Sequence, residues 1–275
     1  MKRDRSTGWQ HAKLSGHKNE DNITKILQED TELQQRVLQC AYMQNETIID
    51  IIDGGLNETH VVSVFGDKTK NKTDLKLILS NNKSINVSIK KSLAGQVYLI
   101  SAERFINGYE KIYGQEIPAK VKRAIKLYWG EDEDVNDIIN RFANETDAKK
   151  LAYQRKKNRL VAETLIKLDK TLSDELLSWF DNNMYNIIDF CFSRGLAQDE
   201  FEKADIIWYK NTLKENDVDS MMWLAEIKNK TFAKCYFGNT LGGTTIQLPF
   251  GFVQWHKGCM QFHHKYEKVT QLFGK

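Results

Sequence analysis

Cysteine pairs, long apolar runs and a strong net charge are all missing from this chain of 275 residues. Its four cysteines are scattered without a CxxC pair, so the sequence supports neither a zinc knuckle nor a disulfide framework, and we expect reduced thiols. No apolar run is long enough to span a bilayer. No apolar signal-peptide core follows the charged start Met1–Arg5, so we expect a cytoplasmic protein.

The net charge of +3 does not by itself indicate a nucleic-acid-binding protein. The basic residues nevertheless form two clusters, which are Lys68, Lys70, Lys72, Lys76, Lys83, Lys90 and Lys91, and Lys149, Lys150, Arg155, Lys156, Lys157 and Arg159. A run of charges is most often a solvated face. Phosphate binding is favoured for the first cluster because it coincides with the candidate site described next.

The first basic cluster covers a predicted β-hairpin. Residues 72–79 and 85–91 are predicted to form two strands joined by an Asn-Asn turn. Asp74 opens the first strand, and Ser88 and Lys90 lie two residues apart on the second, so strand alternation points both side chains to the same face. Asp74 is then expected to meet Lys90 across the strands. The alternative is an ordinary amphipathic hairpin with solvated lysines.

A carboxylate and an ammonium group in this arrangement suit metal-assisted hydrolysis of phosphodiesters. The carboxylate holds Mg²⁺, which prefers oxygen ligands and keeps several of its waters. The ammonium group helps to orient or deprotonate the attacking water and offsets the charge that develops on the phosphate. Asp74 is therefore the candidate metal ligand, and Lys90 is the candidate catalytic helper.

These residues resemble the Asp…(Glu/Asp)-x-Lys core of the restriction-endonuclease-like nucleases, with one departure. Ser88 stands where the second carboxylate usually lies. In several restriction endonucleases an N-terminal helix delivers a glutamate to the metal site, and the run Ser15–Glu20 resembles that segment. The resemblance makes Glu20, at the start of a helix predicted to begin near residues 19–22, the second candidate metal ligand. Alternatively, Glu20 only stabilises the helix N-terminus through the helix dipole.

The order of the predicted elements agrees with the resemblance. A strand at His60–Phe65 and the hairpin make a three-stranded meander, and Ser92–Ile106 fits a helix capped by Ser92. The resemblance implies an α/β fold with a central mixed sheet flanked by helices. Lys91, Ser92 and Gln96 are candidate contacts to DNA near the site. For Gln96 the alternative interpretation, an exposed residue of this helix with no contact to DNA, is equally good.

The last third of the chain changes to strands, in which amide and imidazole side chains alternate with large apolar residues. Such a sheet suits the reading of base edges and resembles the recognition region of type II restriction endonucleases. The candidate base-reading side chains are Gln247, Gln254, His256, Gln261 and His263. A zinc site that uses His264 as well is disfavoured because the histidines lack a familiar ligand spacing.

A rival active site is formed by Asp205 and the run Glu226-Ile227-Lys228. Its Glu-x-Lys is closer to the usual form of the family than Ser88-Ile89-Lys90 is. We rank it second because no well-formed helix is predicted after Lys228, and no capped helix is predicted just before Asp205.

Together these patterns predict three segments: a catalytic core at 1–117, a helical packing or dimerisation region at 118–203, and a β-rich recognition region at 204–275. The resemblance implies a type II restriction endonuclease that uses Mg²⁺ to cut double-stranded DNA at a short specific sequence, as a homodimer on a palindromic site. Two alternatives stay open: a structure-specific repair or recombination nuclease of the same fold, and a non-catalytic DNA-binding protein. An RNA-binding protein is disfavoured because no RRM or KH motif is present.

Overall fold

A computed structural model describes residues 5–53, 60–213, 218–230 and 233–273. The helices are α1 Arg5–Glu29, α2 Thr31–Cys40, α3 Ala102–Tyr113, α4 Ala119–Trp129, α5 Val135–Arg141, α6 Ala148–Lys157, α7 Ala162–Leu168, α8 Lys170–Asn182, α9 Met184–Ile188, α10 Leu224–Lys228 and α11 Tyr266–Gln271. The strands are β1 Ile48–Asp53, β2 His60–Val62, β3 Lys68–Lys70, β4 Leu75–Leu79, β5 Ser84–Lys90, β6 Ala94–Ser101, β7 Ile206–Lys210, β8 Asp219–Trp223, β9 Tyr236–Phe237, β10 Thr245–Leu248, β11 Gly251–His256 and β12 Cys259–Lys265.

The chain divides into two compact units, each built from two separate stretches of sequence. The first unit comprises Met1–Leu93 and Phe192–Asn229, and the second comprises Ala94–Cys191 and Lys230–Lys275. The boundaries of these units are set by the packing of the chain and do not coincide with those of the three functional segments predicted from the sequence. The functional segments stay predictions. None of the helices in the described ranges combines the length and the apolar character that crossing a membrane requires.

A five-stranded mixed sheet forms the centre of the first unit, in the order β1-β4-β5-β7-β8. The pairs β1/β4, β4/β5 and β7/β8 are antiparallel, whereas β5 and β7 run parallel. A parallel pair requires a long crossover connection, here the chain between residues 90 and 206. The predicted fold class, α/β with a central mixed sheet flanked by helices, is confirmed.

Apolar side chains from α1 and α2 form one core with a face of this sheet. Ile23 and Leu27 of α1 are fully buried against the alternate residues Leu75 and Leu77 of β4 and Val87 of β5. The spacing of four residues in the helix and of two in the strand places each set on one face. Asp30 separates the two helices: its side chain accepts a hydrogen bond from the backbone N–H of Leu33 and caps α2, whose Leu33 and Val37 continue the same core.

Three predictions about the first unit are wrong in detail. The first helix is already formed at Arg5, so Glu20 lies well inside α1 and not at a capped start. The strand predicted at His60–Phe65 is only β2, which pairs with β3 in a separate two-stranded sheet. The predicted three-stranded meander is therefore not formed, because the second neighbour of β4 is β1. The apolar sequence of β1 precedes Gly54 and Gly55, a pair typical of a chain break between elements, which lies outside the described residues.

The second unit is built on an antiparallel sheet in the order β6-β12-β11-β10-β9. Its first strand, β6, occupies residues predicted to be the helix capped by Ser92, so that prediction is wrong. The helix begins later, as α3, and its cap is Ser101, whose Oγ accepts a hydrogen bond from the Arg104 backbone N–H at 3.2 Å. β-Branched and aromatic residues in the run Val97–Ile100 favour the strand.

Helices α3 to α9 and α11 complete the second unit, and α4 to α9 lie in the region 118–203 that the sequence predicts to be helical. Asn158, whose φ is +48°, ends α6, and α7 begins at Ala162. Aromatic rings fill the core around Phe105, which contacts Trp179, Phe190 and Phe262 at centroid distances of 6.2, 5.3 and 5.8 Å. The aromatic side chains at 179 and 190 therefore serve packing, as predicted.

The true cap of α3 can be distinguished from the predicted one by stability measurements. We expect Ser101→Ala to lower the free energy of unfolding by ~1 kcal/mol, because the Arg104 N–H loses its acceptor. Ser92→Ala is the matched control and is expected to change it by less than ~0.5 kcal/mol, since Ser92 is exposed and caps no helix. Urea denaturation of both variants measures the difference. Equal losses would contradict the assignment of the cap.

Candidate active site

Backbone pairing holds Asp74 at the open end of the β4–β5 hairpin, immediately before the first residue of β4. Its N–H donates to Val87 O at 2.8 Å, which extends the antiparallel ladder by one residue beyond Leu75. The carboxylate Oδ2 accepts hydrogen bonds from Ile89 N at 2.6 Å and from Ser88 Oγ at 3.3 Å. One carboxylate oxygen is therefore anchored to β5.

Lys90 reaches the same carboxylate, as the strand spacing predicts. Its Nζ lies 4.0 Å from Asp74 Oδ2 and donates to Ser88 Oγ at 2.6 Å. The side chains of Lys90 and Asp74 are 20% and 27% exposed, so solvent can still reach the pair. Ser88 is buried and bridges the two charged groups by hydrogen bonds. The predicted meeting of Asp74 and Lys90 is thus present in the structure, while their catalytic roles stay predictions.

Glu20 of α1 contributes a second carboxylate to this site. Its side chain is 15% exposed, and its charge interacts with those of Asp74 and Lys90. His17, one helical turn earlier, places Nδ1 at 3.3 Å from Glu20 Oε2. The sequence pointed to Glu20 through a supposed helix start. The structure instead brings it to the site from the interior of a long helix.

The two carboxyl groups oppose each other electrostatically. Burial, and next the negative charge of Asp74, raise the pKa of Glu20 from 4.5 to about 7, although His17 and Lys90 act in the opposite direction. Burial also raises the pKa of Asp74, against the influence of Lys90 and of the Ile89 N–H. Two partly buried carboxylates with one nearby lysine are a favourable environment for an added cation.

The number of acidic groups limits which metal the site suits. Throughout the described ranges, no three His, Cys, Asp or Glu side chains come together in a way that could hold a metal ion. Asp74 and Glu20 offer two carboxylates, and Ser88, at the position where the motif usually has a further carboxylate, offers only a hydroxyl. Mg²⁺ is commonly bound through one or two carboxylates while keeping several waters. The donor set therefore fits Mg²⁺ better than a metal that needs four protein ligands.

The residues of the rival site do not form a comparable arrangement. Glu226 and Lys228 lie on the short helix α10, where a spacing of two residues does not point side chains the same way. Glu226 accepts a hydrogen bond from Tyr42. Asp205 accepts one from Asn86 N at 2.9 Å. Burial raises the pKa of Asp205, whereas the Asn86 N–H and the charge of Lys228 act in the opposite direction. The strand β8 ends at Trp223, so Glu226-Ile227-Lys228 does not continue it.

Most of the predicted DNA contacts lie on one face of the second unit's sheet, where a row of amides crosses three strands. Gln261 Nε2 donates to Gln96 Oε1 at 2.6 Å, and Gln254 Nε2 donates to Gln261 Oε1 at 2.8 Å. Gln254 Nε2 also lies 3.2 Å from Nε2 of His263, whose ring stacks on Phe252. We call Gln96, Gln261, Gln254 and His263 the amide row.

The remaining predicted contacts lie beside this row or on the first unit. Gln247 lies on the same face of β10 as Thr245, and its Nε2 donates to Thr245 Oγ1 at 3.1 Å. His256 is exposed at the end of β11. Burial and the charge of His256 lower the pKa of His263, so its ring is mainly neutral near pH 7. His264, in contrast, is buried on the opposite face. Lys91 is half-buried and Ser92 is exposed, immediately after β5.

Two contacts between distant parts of the sequence could not be predicted from the sequence. Gln96 is separated from Gln261 by 165 residues, and only the pairing of β6 with β12 brings them together. Asn19 is a fully buried polar residue in α1 that bonds to the end of β7, 191 residues away. No local pattern signals either contact, since a strand's partner is set by the whole fold.

Comparisons with known proteins give little beyond this geometry. No model of a known protein family matches the sequence, and no curated protein matches it. Among solved structures, the chain is similar to the crystal structure of the restriction endonuclease MspI in complex with its cognate DNA. The two share 13% sequence identity over 84% of this chain and 77% of that chain, with a TM-score of 0.41. A likeness at this level carries no functional argument, so the function is argued from the site.

The raised pKa of Glu20 predicts a characteristic pH dependence of stability without metal. Because folding raises this pKa from 4.5 to about 7, the folded protein binds the proton more tightly. The resulting stabilisation is complete below pH 4.5 and is lost as the pH rises through about 7. We expect Glu20→Gln to remove this dependence and to be more stable than the unmodified protein at pH 8 by ~1–3 kcal/mol.

Urea denaturation in EDTA at pH 5, 6, 7 and 8 measures the difference between the two proteins. Asp74→Asn is the control variant, since removing the neighbouring charge lowers the pKa of Glu20 and shifts the transition to lower pH. A stability difference that does not vary with pH would show that Glu20 titrates normally.

Proposed function

We propose that this protein is a Mg²⁺-dependent deoxyribonuclease of the restriction-endonuclease-like type, which cuts double-stranded DNA at a short specific sequence. The observation that carries the proposal is the meeting of Asp74, Lys90 and Glu20 at one exposed strand end. Asp74 and Lys90 are brought together by the hairpin, but Glu20 comes from α1, more than 50 residues earlier in the sequence, so no local sequence constraint places it with them. A solvated hairpin would not need a buried serine joining its aspartate to its lysine.

Asp74 and Glu20 are the residues that would hold the metal ion. Their mutual repulsion and burial make the empty pair unfavourable as two anions, which favours binding of a divalent cation. When bound, Mg²⁺ polarises the scissile phosphate and lowers the pKa of a coordinated water. The hydrogen bonds from Ile89 N and Ser88 Oγ to Asp74 Oδ2 orient the carboxylate for this task.

Lys90 acts on the phosphate and on the attacking water. Its Nζ donates to Ser88 Oγ at 2.6 Å and to Ile89 O at 3.3 Å near Asp74, so one of its three N–H groups can donate to a further acceptor. From this position it orients the water and offsets the negative charge that develops on the phosphate oxygens. Ser88 supplies no charge of its own. Its role in the proposal is to fix the distance between Lys90 and Asp74, while Glu20 replaces the carboxylate missing at position 88.

The second unit supplies the base-reading surface in this proposal. The amide row presents donors and acceptors on fixed strands, and Gln side chains suit the N6 and N7 edge of adenine in the major groove. Gln247 and His256 extend the same surface. Lys91 and Ser92 follow the catalytic strand and contact backbone phosphates. A homodimer on a palindromic sequence provides two such sites related by two-fold symmetry.

Cleavage of a large unmethylated DNA tests the proposal. We expect discrete fragments with Mg²⁺ and none with EDTA. Asp74→Asn, Glu20→Gln and Lys90→Ala are each expected to lower the cleavage rate by at least ~100-fold, because each removes a metal ligand or the charged helper. Rates are measured from the appearance of fragments on a gel at several concentrations of Mg²⁺.

Glu226→Ala is the matched control for the cleavage assay, since it removes a carboxylate of the rival site in the same unit. It is expected to cut at the rate of the unmodified protein. Loss of cleavage with Glu226→Ala alone would move the active site to Asp205. A smear that needs Mg²⁺ would favour a structure-specific repair nuclease, and intact DNA under all conditions would favour a non-catalytic DNA-binding protein.

Contacts to base edges and contacts to backbone phosphates are expected to respond differently to substitution. Gln261→Ala interrupts the amide row and should reduce the preference for the cognate sequence by ~1–3 kcal/mol. Lys91→Ala should weaken binding to all sequences alike and lower the slope of log affinity against log salt by about 1. Fluorescence anisotropy with cognate and unrelated duplexes in Ca²⁺ measures both effects.

Gln271→Ala serves as the control for the binding experiment, because it removes an exposed glutamine from α11 of the same unit. It should leave affinity and preference unchanged. An equal loss on cognate and unrelated DNA with Gln261→Ala would contradict base reading by the amide row.

A further inference from the structure

Asn19, the residue before Glu20, makes an unusual set of contacts for a helix residue. It is completely buried, and its Nδ2 donates to Lys210 O at 2.9 Å. Its Oδ1 accepts hydrogen bonds from Thr212 N at 2.7 Å and from Thr212 Oγ1 at 3.0 Å. Asparagine is a poor helix former, and a buried amide is tolerated only when its polar atoms are satisfied. Here both ends of the amide are used on the same short segment.

That segment is the end of the strand next to the catalytic strand. Lys210 is the last residue of β7, which pairs in parallel with β5. In this register Lys90 lies opposite Tyr209, one residue before Lys210. Asn19 therefore ties the helix that carries Glu20 to the strand pair that carries Lys90. One contact is to the backbone of β7 itself, at Lys210 O, and the others are to the backbone N–H and the hydroxyl of Thr212, two residues further along the chain.

Glu20 requires such a restraint because its neighbour repels it. The charges of Glu20 and Asp74 repel each other when both carboxylates are ionised. Ile23 and Leu27 anchor α1 in the apolar core, but they lie three and seven residues beyond Glu20. The hydrogen bonds of Asn19 act directly beside Glu20 and oppose movement of its carboxylate away from Asp74, since two atoms of a planar amide fix direction as well as distance.

We propose that Asn19 is a positioning residue, which holds Glu20 at the distance from Asp74 at which both carboxylates bind one metal ion. The inference rests on the proposed function, in which Glu20 and Asp74 are metal ligands. It predicts a loss of metal affinity on substitution of Asn19, although Asn19 does not touch the metal. Groups that orient ligands in this way typically change metal affinity by ~10–100-fold.

Asn22 provides a matched control on the same helix. Its Nδ2 donates to Thr212 Oγ1 at 3.2 Å, so it joins the same helix to the same segment. It contacts neither Lys210 O nor the Thr212 N–H among the hydrogen bonds described. Asn22→Ala therefore removes one contact of the same type and leaves the amide of Asn19 in place.

The test measures binding of Mn²⁺ alone to the full chain by electron paramagnetic resonance of the free ion. Asn19→Ala is expected to weaken binding at least ~10-fold, and Asn22→Ala less than ~2-fold. In the cleavage assay Asn19→Ala should raise the Mg²⁺ concentration for half-maximal rate by a similar factor, while kcat at saturating Mg²⁺ and KM for DNA stay within ~3-fold. A purely structural loss would not act through the metal alone.

Thr212→Val covers the case in which Asn19→Ala does not fold, as judged by circular dichroism. It removes the hydroxyl that donates to Asn19 Oδ1 and accepts from Asn22 Nδ2, and it leaves the backbone contacts of Asn19. Asn22→Ala measures the effect of the second bond, and a ~3-fold loss of Mn²⁺ affinity is expected from the first. Unchanged affinity in Asn19→Ala, or in Thr212→Val where that variant replaces it, overturns the inference if Glu20→Gln still abolishes binding. If Glu20→Gln and Asp74→Asn bind Mn²⁺ as the unmodified protein does, the proposed function falls and the inference falls with it.

Discussion

The antiparallel register of β4 and β5 is the constraint on which the candidate site depends. Leu75 pairs with Val87, so Asp74 meets Ser88 and Lys90 lies one step further along the same face. A slip of one residue would exchange the two faces of β5 and bury Lys90 in the core. The apolar residues at 75, 77, 85 and 87 prevent that slip, because each would have to leave the core that α1 and α2 share with the sheet. Core packing and site geometry are thus determined by the same register.

The electrostatics of the site follow from this arrangement. Asp74 and Glu20 are partly shielded from water, and Lys90 is their shared cation. One lysine cannot neutralise two carboxylates, which is why burial and repulsion leave the pKa of Glu20 at about 7. The protein keeps these groups together by hydrogen bonds to backbone atoms, at Ile89 for Asp74 and at Lys210 for Asn19. Both partners, Ile89 N and Lys210 O, belong to strands of the same sheet.

The hairpin and the meeting of Asp74 with Lys90 could be predicted from the sequence, because both depend on local alternation and one short turn. The strand β6 could not, since Ser92 and the residues after it satisfy the rules for a helix start equally well. The distribution of the C-terminal strands was also beyond prediction. β7 and β8 join the sheet of the first unit, while β10 to β12 pair with β6 in the second. These partners are far apart in sequence, and apolar alternation specifies a strand without specifying its neighbour.

The rival pattern shows why spacing carries chemical meaning only together with secondary structure. Glu226-Ile227-Lys228 matches the usual Glu-x-Lys form more closely than Ser88-Ile89-Lys90 does. A spacing of two places both side chains on one face of a strand, but separates them by about 200° around a helix. Residues 224–228 form α10, so the charges of Glu226 and Lys228 diverge and Glu226 bonds to Tyr42. On β5 the same spacing keeps Ser88 beside Lys90, and in the proposed site the carboxylate absent at position 88 would come from Glu20 on α1, more than 60 residues away in sequence. A site can therefore keep the geometry of a motif although one residue of the motif is replaced, and a complete sequence motif can lack the geometry of the site.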